Sequence, residues 1–211
     1  MRGRDIQKYY ADWQNLYIIF TRRGTDIELY PAIKDYLFQF YEDLKPKITS
    51  NDLRGRKAGT YKWYEIQDNI AYYEDFGKPK IIYPNMTKHL PFIYDCDSFY
   101  INDKGFIISG KSLGYLIAFF NSKIFKFCFQ DNFPELLGGT RELRKVFFDE
   151  IPVKTVSHEE ECIFLEKITF IQELKKQQKD TDEYEKEIEI MLYAIYELTN
   201  EEIESINRLQ L

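Results

Sequence analysis

The sequence has little of what builds metal or redox centres: 3 cysteines and 2 histidines in 211 residues. Cys96, Cys128 and Cys162 stand far apart without a Cys-x-x-Cys spacing, which argues against a structural zinc site. An odd cysteine count without a secretory signal reads as reduced thiols in a cytoplasmic chain. Long hydrophobic runs are missing too. A membrane span needs roughly 18–20 apolar residues, and the longest candidate, Leu113 to Phe129, is interrupted by Asn121, Lys123 and Lys126. The chain has no internal repeat. The expectation is a soluble intracellular protein.

What is present is enough apolar residue for a core, 44% of the chain, and an aromatic content of 17% with 17 Tyr and 17 Phe. Tyrosine joins a flat apolar face to a polar tip and suits binding surfaces, although most aromatics in a domain are core. The net charge of −6 conceals a split. Met1 to Lys154 holds 23 Lys and Arg against 20 Asp and Glu, a net of +3, and Thr155 to Leu211 holds 6 against 15, a net of −9. Within the first part, Lys45 to Lys88 carries 9 basic and 5 acidic residues. Local basic character on a mixed chain is how a nucleic-acid footprint reads.

The composition places a boundary at Ile151–Lys154, with residues 1–154 as one domain and 155–211 as a helical spacer. Ser157 and Glu160 form a capping box, followed by Leu165, Ile168, Ile171 and Leu174 at helical spacing. Gln177 to Asp182 turns the chain. Ile188, Met191, Leu192, Ile195 and Leu198 mark a second helix, and Thr199 with Glu202 caps a short third one with Ile203 and Ile206 inward. The short connections predict an antiparallel helical hairpin.

Before the boundary the signals are mixed. Leu16 to Phe20 reads as a short buried strand, and Pro31 opens an amphipathic helix through Leu44 that Pro46 stops. Leu53 to Lys62, basic and glycine-bearing, reads as an exposed loop. Lys80 to Tyr83 reads as a strand, Phe92–Tyr94 and Phe99–Ile108 as a β-hairpin, Leu113 to Phe129 as a mainly apolar helix, and Gly138-Gly139 as a tight turn. The expected fold class is α+β, a small β-sheet with packed helices followed by the helical hairpin.

Five segments in order carry a family resemblance: Arg2-Gly-Arg-Asp-Ile6; Tyr61-Lys-Trp-Tyr64; Lys78-Pro-Lys-Ile-Ile-Tyr-Pro84; Leu113-Gly-Tyr-Leu-Ile-Ala-Phe-Phe-Asn-Ser-Lys123; and Gly138-Gly-Thr-Arg-Glu-Leu-Arg144 running into Ile151-Pro152. Together they resemble the TaqI-like C-terminal specificity domain, the target-recognition domain of type IIG restriction–modification enzymes and adenine-specific DNA methyltransferases. The tail from Met191 to Ile203 is similar to helices that follow such domains. The resemblance implies a domain that reads double-stranded DNA and performs no chemistry, with no cofactor of its own. The parent protein would carry an S-adenosylmethionine-dependent methyltransferase domain as partner. The chain has no Asn-Pro-Pro-Tyr or Asp-Pro-Pro-Tyr element for holding a flipped adenine and no glycine-rich cofactor turn. Since Arg2-Gly-Arg-Asp falls in mid-chain in this family, the chain is expected to be a fragment.

Candidate DNA contacts divide into those that position on phosphate and those that read bases. Arg54, Arg56, Lys57 and Lys62 form an acid-free run on a loop freed by Gly55 and Gly59, and arginine can grip a guanine edge with two bonds. Trp63 and Tyr64 beside it suit a wedge or stacking contact, or core packing. Lys78, Lys80 and Lys88 flank a strand and suit phosphates. Thr140, Arg141, Arg144 and Lys145 follow two glycines and suit a backbone-assisted phosphate site. For each basic group the alternative is a solvated surface or a plain turn. His89 and His158 are expected to be ordinary, and Asn121-Ser122 to order a helix. The competing function is a protein-interaction adaptor using the acidic C-terminal helices; a stand-alone enzyme finds no catalytic constellation.

Overall fold

A computed structural model describes residues 1–208 as an α+β fold. In chain order the elements are β1 (Ile6–Gln7), β2 (Tyr10–Ala11), α1 (Pro31–Phe38), α2 (Tyr41–Leu44), β3 (Lys80–Pro84), β4 (Met86–Thr87), β5 (Ile93–Asp95) and β6 (Gly105–Ser109). They continue with α3 (Leu113–Phe120), α4 (Lys123–Phe129), β7 (Arg141–Glu142), α5 (Lys145–Phe148), α6 (His158–Lys176), α7 (Asp182–Ile195) and α8 (Asn200–Arg208). Two compact units result. One joins Met1–Leu16 to the described residues from Asp75 onward; the other is Tyr17–Glu74. This division differs from the one drawn on charge at Lys154.

The larger unit is built on β3, whose residues are buried throughout. A strand buried on both faces reads as a continuous apolar run, and Ile81-Ile-Tyr is one. Both of its edges are paired: the sheet order is β5-β3-β6, antiparallel, with Ile82 opposite Ile93 on one side and Ile107 on the other. The hairpin expected between Phe92–Tyr94 and Phe99–Ile108 is therefore corrected. β5 and β6 flank β3 and do not pair with each other. Asp95 explains the divergence, because its carboxylate accepts the Asp97 and Phe99 amides at 2.9 and 3.0 Å and bends the chain away.

Helices cover this sheet. The single helix expected from Leu113 to Phe129 is broken into α3 and α4 at Asn121-Ser122, both buried. The Asn121 side chain bonds the Phe92 amide and carbonyl at 3.1 and 2.9 Å, so the break anchors the helix pair to the chain before β5. Ser122 caps α4 by accepting the Phe125 amide at 3.1 Å. The N-terminus of α3 has no side-chain cap of its own. Glu161 of α6 supplies it, accepting the Gly114 and Tyr115 amides at 2.8 Å each. This close crossing requires Gly114, since a Cβ there would lie 2.7 Å from the Leu165 backbone nitrogen.

Both expected capping boxes form, Ser157 with Glu160 at the start of α6 and Thr199 with Glu202 at the start of α8. Phe164, Ile168 and Ile171 of α6, Ile188 and Leu192 of α7 and Ile206 of α8 are buried in the same core as Ile81, Phe92, Phe119 and Phe125. The acidic helices thus complete the main core.

The smaller unit, Tyr17–Glu74, has only α1 and α2 as helices of four residues or more and no strand among its described residues. Leu16 to Phe20, expected as a buried strand, forms none, and Tyr17 is 86% exposed; β-propensity expresses itself only where a pleated, half-buried surface is available. The helix expected from Pro31 to Leu44 does begin at Pro31 but breaks at Gln39-Phe40. The break lets Phe38 and Tyr41 both meet the Trp63 indole, with centroids at 5.7 and 5.4 Å.

Candidate nucleic-acid interface

In the smaller unit the basic run separates into different roles. Arg56 is a staple: its guanidinium donates to the carbonyls of Leu44 at 2.6 Å, Trp63 at 3.0 Å and Glu65 at 2.8 Å, and lies over the Tyr61 ring. Gly55, with φ +109, allows this path, because a Cβ would come 2.8 Å from the Lys45 carbonyl. The expectation that Arg56 stands free to face DNA is corrected: its Nε and Nη2 are engaged by three backbone acceptors. Arg54 is exposed and grips Asp43 with two bonds of 2.8 and 2.6 Å, which holds that carboxyl below its usual range. Lys57 is exposed, and Lys62 is exposed beside the Tyr64 ring. Trp63 and Tyr64 are packing residues: Trp63 is ringed by Phe38, Tyr41 and Tyr64, and the Tyr64 hydroxyl donates to the Thr25 carbonyl at 3.1 Å.

In the larger unit Lys80 is also corrected. It is wholly buried opposite Asp95, with Nζ 2.5 Å from Oδ2 and 2.6 Å from the Phe76 carbonyl, out of reach of any phosphate. Lys78 is exposed and paired with Asp75 at 2.8 Å. Lys88 is exposed. Gly138 and Gly139 both have φ +76 and form the tip of a small hairpin. Thr140 closes it, donating to the Leu137 carbonyl at 3.1 Å. Arg141 braces it from within, bonding the Phe133 carbonyl and Asp131 at 2.9 Å each, with its side chain only 12% exposed. Arg141, expected as a phosphate contact, is thus mostly buried and already paired within the hairpin. Arg144 and Lys145 are exposed, beside Glu142 and Asp149.

The residues that the structure does bring together are others. Gly3, Arg4, Gln7, Thr87, His89 and Lys104 line a cleft of about 330 Å³. Local chemistry builds it from the Arg2-Gly-Arg-Asp segment. Asp5 is buried and takes the Arg2 guanidinium at 2.8 Å and the Arg2 amide at 2.9 Å, closing a turn. Gly3 lies so close to the Lys104 carbonyl that a Cβ would meet it at 2.5 Å. Three of the four residues therefore serve the fold, while the exposed Arg4 side chain keeps no hydrogen-bond or ion-pair partner among the described residues, its carbonyl accepting the Gln7 side-chain amide at 3.3 Å. The opposite wall is β4, which pairs with β7 so that Thr87 faces Arg141. Lys88 adjoins that wall in sequence and is likewise exposed. Sequence reading missed Arg4, Gln7 and Lys104 and set His89 aside. One signal was available for Arg4: the segment holds two arginines and a single aspartate to pair with.

Among the described residues no three or more His, Cys, Asp or Glu side chains converge as a metal site, and no helix is long and apolar enough to cross a membrane. The geometry is that of a small α+β domain presenting polar and cationic side chains along one cleft, a binding module. The chain belongs to the TaqI-like C-terminal specificity domain family, whose model matches residues 1–153. Among curated proteins none matches it.

Proposed function

We propose that this chain recognises a sequence in double-stranded DNA as the specificity domain of a restriction–modification methyltransferase of type IIG, and that the Arg4–His89–Lys104 cleft faces the duplex. The observation that carries this reading is the family match across residues 1–153. Arg4 and Lys88, whose side chains have no ion-pair partner among the described residues, supply cations for phosphate, and Gln7, Thr87 and His89 supply hydrogen-bonding groups of the kind that read base edges. Exposed Arg54, Lys57, Lys62, Lys78, Arg144 and Lys145 are secondary phosphate contacts, since surface ion pairs of the Arg54–Asp43 type are worth only about 0–1 kcal/mol and exchange readily. The chain works in the cytoplasm beside a methyltransferase domain that binds S-adenosylmethionine, and it holds no cofactor itself. The adaptor reading draws no support from a particular contact, and Phe164, Ile168, Ile171, Ile188, Leu192 and Ile206 of α6–α8 are committed to the core.

The test is titration of mixed-sequence duplexes with the full chain at several salt concentrations. With roughly six phosphates engaged, affinity falls on the order of 10³-fold between 50 and 200 mM salt. Affinity that does not respond to salt, or no duplex binding at low salt, overturns the assignment.

A further inference from the structure

The hairpin of residues 134–142, whose β7 pairs with the cleft-lining β4, ends in a feature outside the cleft. Leu137, at its tip, is 99% exposed. Isolated aliphatic side chains on a surface are ordinary, but this one is held out by a braced support. The Leu136 amide bonds the Thr140 carbonyl at 2.7 Å, Thr140 Oγ1 bonds the Leu137 carbonyl at 3.1 Å, and Glu135 bridges Arg141. Arg141 ties the base of the hairpin to the carbonyl of fully buried Phe133. Gly138 and Gly139 have φ +76 with open space where a Cβ would stand, so they are glycine for backbone conformation and not for packing. Beyond the tip, β7 pairs with β4, the strand that carries Met86, half exposed, and Thr87 of the cleft. A hydrogen-bonded apolar point therefore projects from the hairpin whose β7 pairs with β4, the strand that lines the cleft with Arg4 and Lys104 and precedes Lys88.

We propose that Leu137 is a wedge that enters the base stack of bound DNA, unstacking one step while the neighbouring cations hold the phosphates. This rests on the DNA-reading function proposed above and assigns it a residue that distorts the duplex. Apolar side chains on braced loops unstack base steps in this way, and the wedge reads deformability at a step whose edges it does not touch. The chemistry is self-consistent: an alkyl group gains nothing from phosphate, and it gains from contact with base faces and thymine methyls.

The test is permanganate oxidation of thymines, which reports loss of stacking, on complexes of the full chain with a pool of mixed-sequence duplexes. The wild-type complex gives thymines about threefold or more reactive than in free duplex. Leu137→Ala returns them to the free level, and Leu137→Met retains the effect. Both variants melt with the wild type, because the replaced side chain contacts solvent. Persistent reactivity in the Leu137→Ala complex, or a wild-type complex without reactive thymines, overturns the wedge and leaves DNA recognition standing. Absence of any complex at low salt overturns the recognition reading and the wedge with it.

Discussion

Lys80 and Asp95 face each other across β3 and β5, with Nζ and Oδ2 2.5 Å apart and both side chains buried. A charge pair so placed contributes little net stability over an apolar pair, but breaking it strands a buried charge. Lys80→Ala therefore lowers unfolding free energy by about 3–5 kcal/mol, read by urea denaturation. A loss below about 1 kcal/mol contradicts this account of the sheet.

Helix crossing gives a second prediction. Gly114→Ala places a methyl 2.7 Å from the Leu165 backbone nitrogen, where side-chain rearrangement cannot relieve it. The expected cost is about 1–3 kcal/mol. Gly77→Ala, where a Cβ meets nothing within 4 Å, serves as the control. Thermal melts of the two variants should differ clearly, with only Gly114→Ala destabilised.

Truncation after Lys154 removes Phe164, Ile168, Ile171, Ile188, Leu192 and Ile206 from the main core. Burial of six such side chains contributes roughly 9–18 kcal/mol, as much as the 5–15 kcal/mol total stability of an ordinary domain. The truncated chain is expected to lose near-ultraviolet dichroism and a cooperative melt. A truncated chain with a cooperative melt would instead make the helices a detachable spacer.

Acid titration tests the turn beneath Arg4. Burial pushes the Asp5 carboxyl up, but the Arg2 guanidinium and amide pull it down further, and its pKa lies below the ordinary range. A depressed carboxylate adds stability that is present above its unfolded pKa, about 3.9, and is lost as pH falls through the folded value. In Arg2→Ala, Asp5 keeps the amide but loses the guanidinium, the stronger of the two groups that depress it, and acid unfolding begins at higher pH. Coincident acid transitions for the two proteins count against this role for Arg2.

What the sequence disclosed follows the range of the interactions. Ser157 with Glu160 and Thr199 with Glu202 act over three residues, and both helix starts were legible. β3 was legible from its own apolar run, but its partners were not, since pairing of β5 and β6 depends on which buried edges are free. The break at Asn121 is set by Phe92, 29 residues earlier, and no local pattern records it. The basic segments looked alike in sequence because charge alone does not reveal acceptors. Arg56 meets three backbone carbonyls and Arg141 a fourth, so each is engaged by the fold, whereas Arg4 was left over once Arg2 had taken the aspartate of its own segment.

The most direct test of the cleft is the salt dependence of duplex binding by wild type, by Arg4→Ala/Lys88→Ala and by Arg56→Lys. Each lost phosphate contact reduces the slope of log affinity against log salt by about one. The account predicts a slope lower by about two for Arg4→Ala/Lys88→Ala and unchanged for Arg56→Lys. A wild-type slope in the cleft variant, or a reduced one in Arg56→Lys, would contradict it.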